Sequence, residues 1–249
     1  MEERITSRKN PLVQQTRKLL TSRKTRRELG LFVSDGTKLL EEAVRHCQGL
    51  DTVFLSDGVE AQVPENCRVI RVSREVMEAI SPMETPQGAV FLCRLPQEVP
   101  FQPEKGMLLL DGIQDPGNLG TILRTADAWN VKVALLEGCA DPFSHKVVRS
   151  SMGAVFRRDV AVTTWDQARA ALEKAGIPVA VTALNAQARD IRSASVGTMA
   201  VVIGSEGQGV RQEILQAANE ALIIPMNPHC ESLNAAVAAT AVMWQMGKI

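Results

Sequence analysis

At 249 residues, with 45% hydrophobic and 22% charged residues, the chain has a globular composition and enough material for one large or two modest cores. No apolar run reaches the ~18–20 residues that span a bilayer, and the N-terminal "MEERITSRKN" lacks the apolar segment of a secretion signal. No membrane partner and a cytoplasmic location are therefore expected. The formal net charge is zero, yet residues 1–27 carry nine basic residues against Glu2 and Glu3. Such a run is either a solvated helix face or a handle for a phosphate backbone, and charge alone leaves both open.

Taken in chain order, "NPLVQQTRKLLTSRKTRRELG" predicts one helix capped by Asn10, with Pro11 in its first turn and Gly30 as its stop. The apolar runs "LFVS", "TVFLS", "CRVIRV" and "AVFLCRL" then alternate with the helical "TKLLEEAVRHC" and "REVMEAI". This rhythm predicts a small α/β domain over 1–95. The proline-bearing "PQEVPFQPEKG" reads as a linker over 96–106. From 107 to 249 the strand candidates are "MLLLD", "KVALLEG", "VFRRDVAV", "PVAVTAL", "MAVVIG" and "ALIIPM". Continuous apolar strands separated by helices predict a parallel sheet covered on both faces. Cys47, Cys67, Cys93, Cys139 and Cys230 are scattered, as expected for reduced thiols, and the three histidines show no metal-ligand spacing.

In open α/β sheets ligands bind beyond the carboxyl ends of strands, so three loops draw the search. "LDGIQDPGNLGTILRTADAWN" turns into a helix expected near Asn118, with Arg124 six residues on and on a different face. Arg124 can still project toward the loop, or be an ordinary surface arginine. "MAVVIGSEGQGV" spaces its glycines G-x-x-G-x-G at 204, 207 and 209, unlike the dinucleotide fingerprint, with Glu206 as the one charge in the turn. "IPMNPHCESLNAAVAATA" leads through a loop into a helix of small residues, for which Ser232 is the expected N-cap. His229 and Cys230 in that loop have no partner ligands elsewhere in the sequence.

Together, "DPGNLGTILRTADAWNV", "VVIGSEGQGV" and "IPMNPHCESLNAAVAA" resemble the three ordered motifs of the SpoU-type (TrmH-like) RNA ribose 2′-O-methyltransferases of the SPOUT superfamily. Residues 1–95 resemble, more weakly, the substrate-binding module that precedes this domain, with Asp35–Gly36 where the family tends to Glu–Gly. The resemblance implies an α/β fold: a C-terminal parallel-sheet SPOUT domain with a deep trefoil knot, preceded by a small α/β RNA-binding domain. It implies an enzyme that uses S-adenosylmethionine and no metal, and that works as a homodimer. Gly204, Ile224 and Leu233 match positions that frame the cofactor, with Met226 in the same pocket. Arg124, Asn118, Glu206, Ser232 and Asn234 match the polar catalytic positions.

A ribose hydroxyl is a poor nucleophile, whereas the sulfonium methyl donor is already activated. The protein's tasks are then in-line alignment and help with the hydroxyl proton. The family's mechanism makes the motif-one arginine a general base, but arginine stays protonated in proteins, so Arg124 fits a phosphate and hydroxyl orienter equally well. Given an RNA partner, Arg8, Lys9, Arg17, Lys18, Arg23, Lys24, Arg26 and Arg27 become phosphate-contact candidates. Ribosomal RNA is the favoured substrate and transfer RNA the alternative. An inactive RNA-binding member of the fold would bind the cofactor without transferring methyl. A dehydrogenase is disfavoured by the glycine spacing.

Overall fold

The computed structural model describes residues 3–184, 187–227 and 229–247. Its chain divides into two compact units, one of Met1–Gln97 with Asp141–Arg157 and one of Glu98–Ala140 with Arg158–Ile249.

The first unit begins with β1 (Glu3–Ile5), α1 (Pro11–Thr21), α2 (Arg23–Leu29) and β2 (Leu31–Asp35). It continues through α3 (Thr37–His46), β3 (Leu50–Ser56), β4 (Arg68–Val72), α4 (Arg74–Ile80) and β5 (Ala89–Arg94). The sheet order is β1-β4-β3-β5-β2, with β1, β4 and β3 parallel and β5 antiparallel to both its neighbours. Val33, Phe54, Ile70, Val90 and Leu92 turn one sheet face to Val13 and Leu19 of α1 and Val76 and Ile80 of α4.

The predicted N-terminal helix is two helices. Ser22 takes extended backbone, closes α1 with its N–H on the Lys18 carbonyl and caps α2 by accepting from Thr25 N at 3.1 Å. Beyond the break Arg26 turns inward rather than continuing an exposed basic stripe. Neither β1, a three-residue edge strand, nor the two-residue strand Arg189–Asp190 was expected, since so few residues carry no readable period.

In the second stretch of chain, β6 (Met107–Asp111), α5 (Pro116–Ala128) and β7 (Val133–Leu135) come first. Next are α6 (His145–Ser150) and α7 (Ala154–Arg157), which belong to the first unit although they lie inside the sequence span 107–249. Phe143 and Phe156 from this segment pack on Phe32 and Phe91, at centroid distances from 5.2 to 6.3 Å, and so help cover the sheet's second face. "VFRRDVAV" is accordingly the end of a helix followed by a short strand rather than one strand, its aromatic serving the first unit's core.

The chain then forms β8 (Ala161–Val162), α8 (Trp165–Ala175), β9 (Val179–Thr182), β10 (Arg189–Asp190), β11 (Ala200–Gly204), α9 (Gln212–Ala217), β12 (Glu220–Ile223) and α10 (Ala235–Met246). The seven-stranded sheet runs β10-β12-β9-β11-β6-β7-β8, and every pairing in it is parallel. Alternate residues Met107, Leu109, Val179, Val181, Ala200 and Val202 pack on Trp165, Ala168 and Leu172 of α8 and Ile214 of α9. Against β11 and α5 lies α10, whose alanines keep its envelope narrow. At its far end a Cβ on Gly197 would meet the Met246 carbonyl at 2.9 Å, so glycine there permits the approach.

Two helix starts differ from expectation. Helix α5 opens at Pro116, with Asp115 accepting from Asn118 N at 2.7 Å, which puts Arg124 in the third turn rather than the second. The cap of α10 is Asn234, not Ser232: Asn234 Oδ1 accepts from Ala236 N at 2.9 Å and Val237 N at 3.3 Å. Asparagine two residues further along wins because its side chain reaches two first-turn donors at once. In the preceding loop, Pro228 lies outside the described residues.

Candidate active site at the carboxyl ends of the parallel strands

Strands β6, β9, β11 and β12 all end at one edge of the seven-stranded sheet, and a cavity of about 470 Å³ opens there. Gly204, Ile224, Met226 and Leu233 line it, as do Glu206 and Ser232. The volume is that of a small-molecule site, and its walls are mainly aliphatic and main-chain. Gly204 has no room for a side chain, because a Cβ would overlap the Gly209 carbonyl and the Val210 nitrogen. The overlap follows from a tight reversal in which Ser205 and Gly209 exchange both backbone hydrogen bonds, at 3.1 and 3.0 Å, with Gly209 at φ 67°. Such a wall of close-packed backbone suits a nucleoside with a polar tail, read by main-chain groups and by aliphatic contact.

Three of the sequence-predicted polar residues meet. Asn118 Nδ2 donates to Glu206 Oε1, and Asn234 Nδ2 donates to Asn118 Oδ1 at 2.9 Å. The three thus form a continuous chain joining the first turn of α5, the β11 turn and the start of α10. Ser232 lies on the cavity wall, its carbonyl accepting from Cys230 Sγ at 3.4 Å. Arg124 does not join the chain: it is exposed on α5 and makes no hydrogen bond or ion pair among the described residues. His229 and Cys230 are exposed, and no cluster of three His, Cys, Asp or Glu side chains able to hold a metal occurs among the described residues.

Sequence reasoning missed a second polar group at the same edge. Asp111, the last residue of β6 and 2% exposed, accepts from Arg211 N at 2.8 Å and Arg211 Nε at 2.7 Å. The same guanidinium donates to Glu137 Oε2 at 2.8 Å, and Glu137 also accepts the Trp165 N–H. Burial would depress the Arg211 pKa, but the Glu137 and Asp111 carboxylates outweigh it and raise it. An acidic residue closing a buried strand was the available signal, since a buried carboxylate requires a partner.

In the first unit, Arg8, Lys9, Arg17, Lys18, Arg23, Lys24 and Arg27 are exposed. Lys9, Arg17, Lys18, Arg23 and Arg27 have no ion-pair partner among the described residues, whereas Arg8 faces Glu78 and Lys24 faces Glu28. Arg26 is a correction. It is 5% exposed, its Nε and Nη2 bind Asp141 Oδ2 at 2.9 and 2.7 Å, and its Nη1 binds the Leu19 carbonyl. A guanidinium so enclosed is a structural tie, and its burial keeps it from a phosphate.

Comparison with known proteins agrees with this geometry. The model of the SpoU rRNA Methylase family matches residues 105–244, and that of the MRM3-like substrate binding domain matches residues 10–90. The 23S rRNA (guanosine(2553)-2′-O)-methyltransferase RlmP of Bacillus subtilis (strain 168) is 32% identical over 98% of this chain and 99% of its own length. Among solved structures, an AdoMet-bound rRNA methyltransferase from Sinorhizobium meliloti superposes with a TM-score of 0.86 at 28% identity, over 98% of this chain and 97% of that one. An RNA 2′-O ribose methyltransferase gives a TM-score of 0.82 at 28% identity over the same shares. The chain belongs to the SpoU rRNA methylase family.

Proposed function

We propose that the protein transfers the methyl group of S-adenosylmethionine to the 2′-hydroxyl of a ribose in structured RNA, with ribosomal RNA as the first substrate class and transfer RNA as the alternative. The observation that carries this is the Glu206–Asn118–Asn234 chain bordering an apolar cavity of nucleoside size. When bound, S-adenosylmethionine supplies an electrophilic methyl on its sulfonium. Gly204, Ile224, Met226 and Leu233 hold the cofactor. Asn118, Glu206, Ser232 and Asn234 orient the incoming ribose hydroxyl, and Arg124 grips the adjoining phosphate with its permanently charged guanidinium.

The exposed cations of α1 and α2 engage the RNA backbone, and the unit over Met1–Gln97 is the RNA-binding part. The likeness of residues 10–90 to a substrate binding domain supports this. The route of the chain past Thr182, Gly204 and Ile224 into α10 is the path of the proposed trefoil knot. No helix among the described residues is long and apolar enough to cross a membrane, and we place the protein in the cytoplasm, where its free cysteines would stay reduced.

A homodimer completes the proposal. On α10, Trp244 is 66% exposed and tilts against Trp129 at 5.7 Å. With Val237, Ile191 and Ile224 they line an apolar groove of about 490 Å³. Ile224 borders both groove and cofactor cavity, so a second copy seated there would close the cavity from behind. Mapping of 2′-O-methylation in total RNA from cells with and without the gene tests the function. The expected result is one ribose methylation that vanishes with the gene, and unchanged maps would count against it.

A further inference from the structure

Arg211 ties together three strand ends at the edge that carries the site. In register, Gly204 of β11 pairs with Asp111 of β6. From Gly204 the chain reverses through Ser205–Gly209 and returns at Val210, which is buried, so the turn bearing Glu206 leaves β11 and comes back to the core just before α9 begins. What fastens the returning limb is the next residue. Arg211 places its backbone N–H on one oxygen of Asp111 and its Nε on the other, while Nη2 reaches Glu137 beyond β7. One residue thus occupies both oxygens of the buried Asp111 carboxylate.

From this geometry we infer that Arg211 is a positioning residue for methyl transfer: held by Asp111 and Glu137, it latches the 205–210 turn shut against the cofactor cavity and thereby fixes Glu206. The inference rests on the assignment of that cavity to S-adenosylmethionine. The latch needs arginine in particular. A planar fork satisfies Asp111 and Glu137 simultaneously, whereas a lysine ammonium is a single point that reaches the buried carboxylate and releases the outer one. Gly204 explains why a latch is needed at all. The turn packs so tightly on its own return limb that a shift of that limb is transmitted directly to the cavity wall.

The test is cofactor binding and single-turnover transfer by the full-length protein bearing Arg211→Gln, Arg211→Lys, Glu137→Gln and, as a cavity control, Leu233→Glu. Binding of RNA without cofactor and the melting temperature are measured alongside. For Arg211→Gln we expect a KM for S-adenosylmethionine raised about tenfold or more and a kcat at saturating cofactor reduced as well, because Glu206 rides on the freed turn. Arg211→Lys should recover to within about threefold of wild type in kcat while keeping a raised KM. Glu137→Gln, which leaves the Asp111 grip intact, should raise KM about threefold with kcat unchanged, and it stands in for Arg211→Gln if the latter fails to fold. RNA affinity should stay at the wild-type value throughout. Wild-type cofactor affinity in folded Arg211→Gln and Glu137→Gln, alongside its loss in Leu233→Glu, would overturn the latch alone. Wild-type affinity in Leu233→Glu would overturn the cavity assignment and the latch with it. A lowered melting temperature with KM and kcat untouched would make Arg211 merely structural and reject the inference.

Discussion

Asn234 Nδ2 donates a 2.9 Å hydrogen bond to Asn118 Oδ1, linking the starts of two helices 116 residues apart in sequence. The other end of the same amide caps α10. One side chain therefore fixes both the helix and the polar chain. Asn234→Asp retains the capping acceptor and replaces the donor by a carboxylate oxygen that cannot pair with Asn118 Oδ1. We expect its stability to stay within about 0.5 kcal/mol of wild type, with methyl transfer falling about 10²-fold, the magnitude of losing one positioned donor. Asn234→Ala should lose the same activity and, in addition, about 1 kcal/mol by chemical denaturation. Equal denaturation midpoints for the two variants would contradict the dual role.

Arg124 stands exposed on α5, outside the hydrogen-bonded chain. As a phosphate grip it acts through the positive charge and planar donor fork of its guanidinium. Arg124→Ala should then lose transfer with little change in cofactor affinity, and Arg124→Lys should recover part of it with a pH–rate profile of wild-type shape. A base must be deprotonated to act, and lysine, with its pKa near ~10.4, loses its proton well before arginine. An acidic limb displaced to lower pH in Arg124→Lys would therefore identify a base and contradict the grip.

Two neighbouring arginines should behave oppositely. Arg26 is enclosed with Asp141, so Arg26→Ala strands a largely buried carboxylate and should cost about 3–5 kcal/mol of stability. Arg27 is exposed and unpaired among the described residues, so Arg27→Ala should leave stability within about 0.5 kcal/mol. Its RNA affinity should fall, and the slope of log affinity against log salt should shrink by about 0.7–0.9. Denaturant titration and salt-series RNA binding read the two effects separately, and a salt slope unchanged in Arg27→Ala would remove it from the RNA surface.

Trp244 and Val237 present apolar surface on α10 where a second copy is proposed to sit. Trp244→Glu should convert the dimer to monomer in sedimentation velocity and weaken cofactor binding through the shared Ile224 wall. A wild-type protein that sediments as a monomer at micromolar concentration would contradict this arrangement.

The central strands were legible because burial on both faces leaves unbroken apolar runs: "MLLLD" is β6 to the residue, and "MAVVIG" overlaps β11 but for its first residue. What escaped the sequence is set by tertiary contacts. No sequence spacing distinguishes Arg26 from Arg27, yet Asp141, 115 residues on, and the Leu19 carbonyl hold Arg26 inward beyond the break at Ser22. Phe156 sits in a stretch whose alternation suggests a strand, yet it follows the aromatic core of the first unit into a helix. Glu206, Asn118 and Asn234 could be named from motifs, but the order of their hydrogen bonds could not, because no spacing rule spans such separations. The end of β6 signalled that Asp111 needs a partner, but not that the partner is Arg211, 100 residues on.

The most direct test is transfer of a radiolabelled methyl group from S-adenosylmethionine, by the purified protein, to ribosomal RNA from cells lacking the gene, followed by alkaline hydrolysis. A 2′-O-methyl blocks the neighbouring hydroxyl from cleaving its phosphodiester, so the proposed chemistry places the label in alkali-resistant dinucleotides, and Asn118→Ala abolishes it. Label recovered in mononucleotides would mean methylation of a base and would contradict the account.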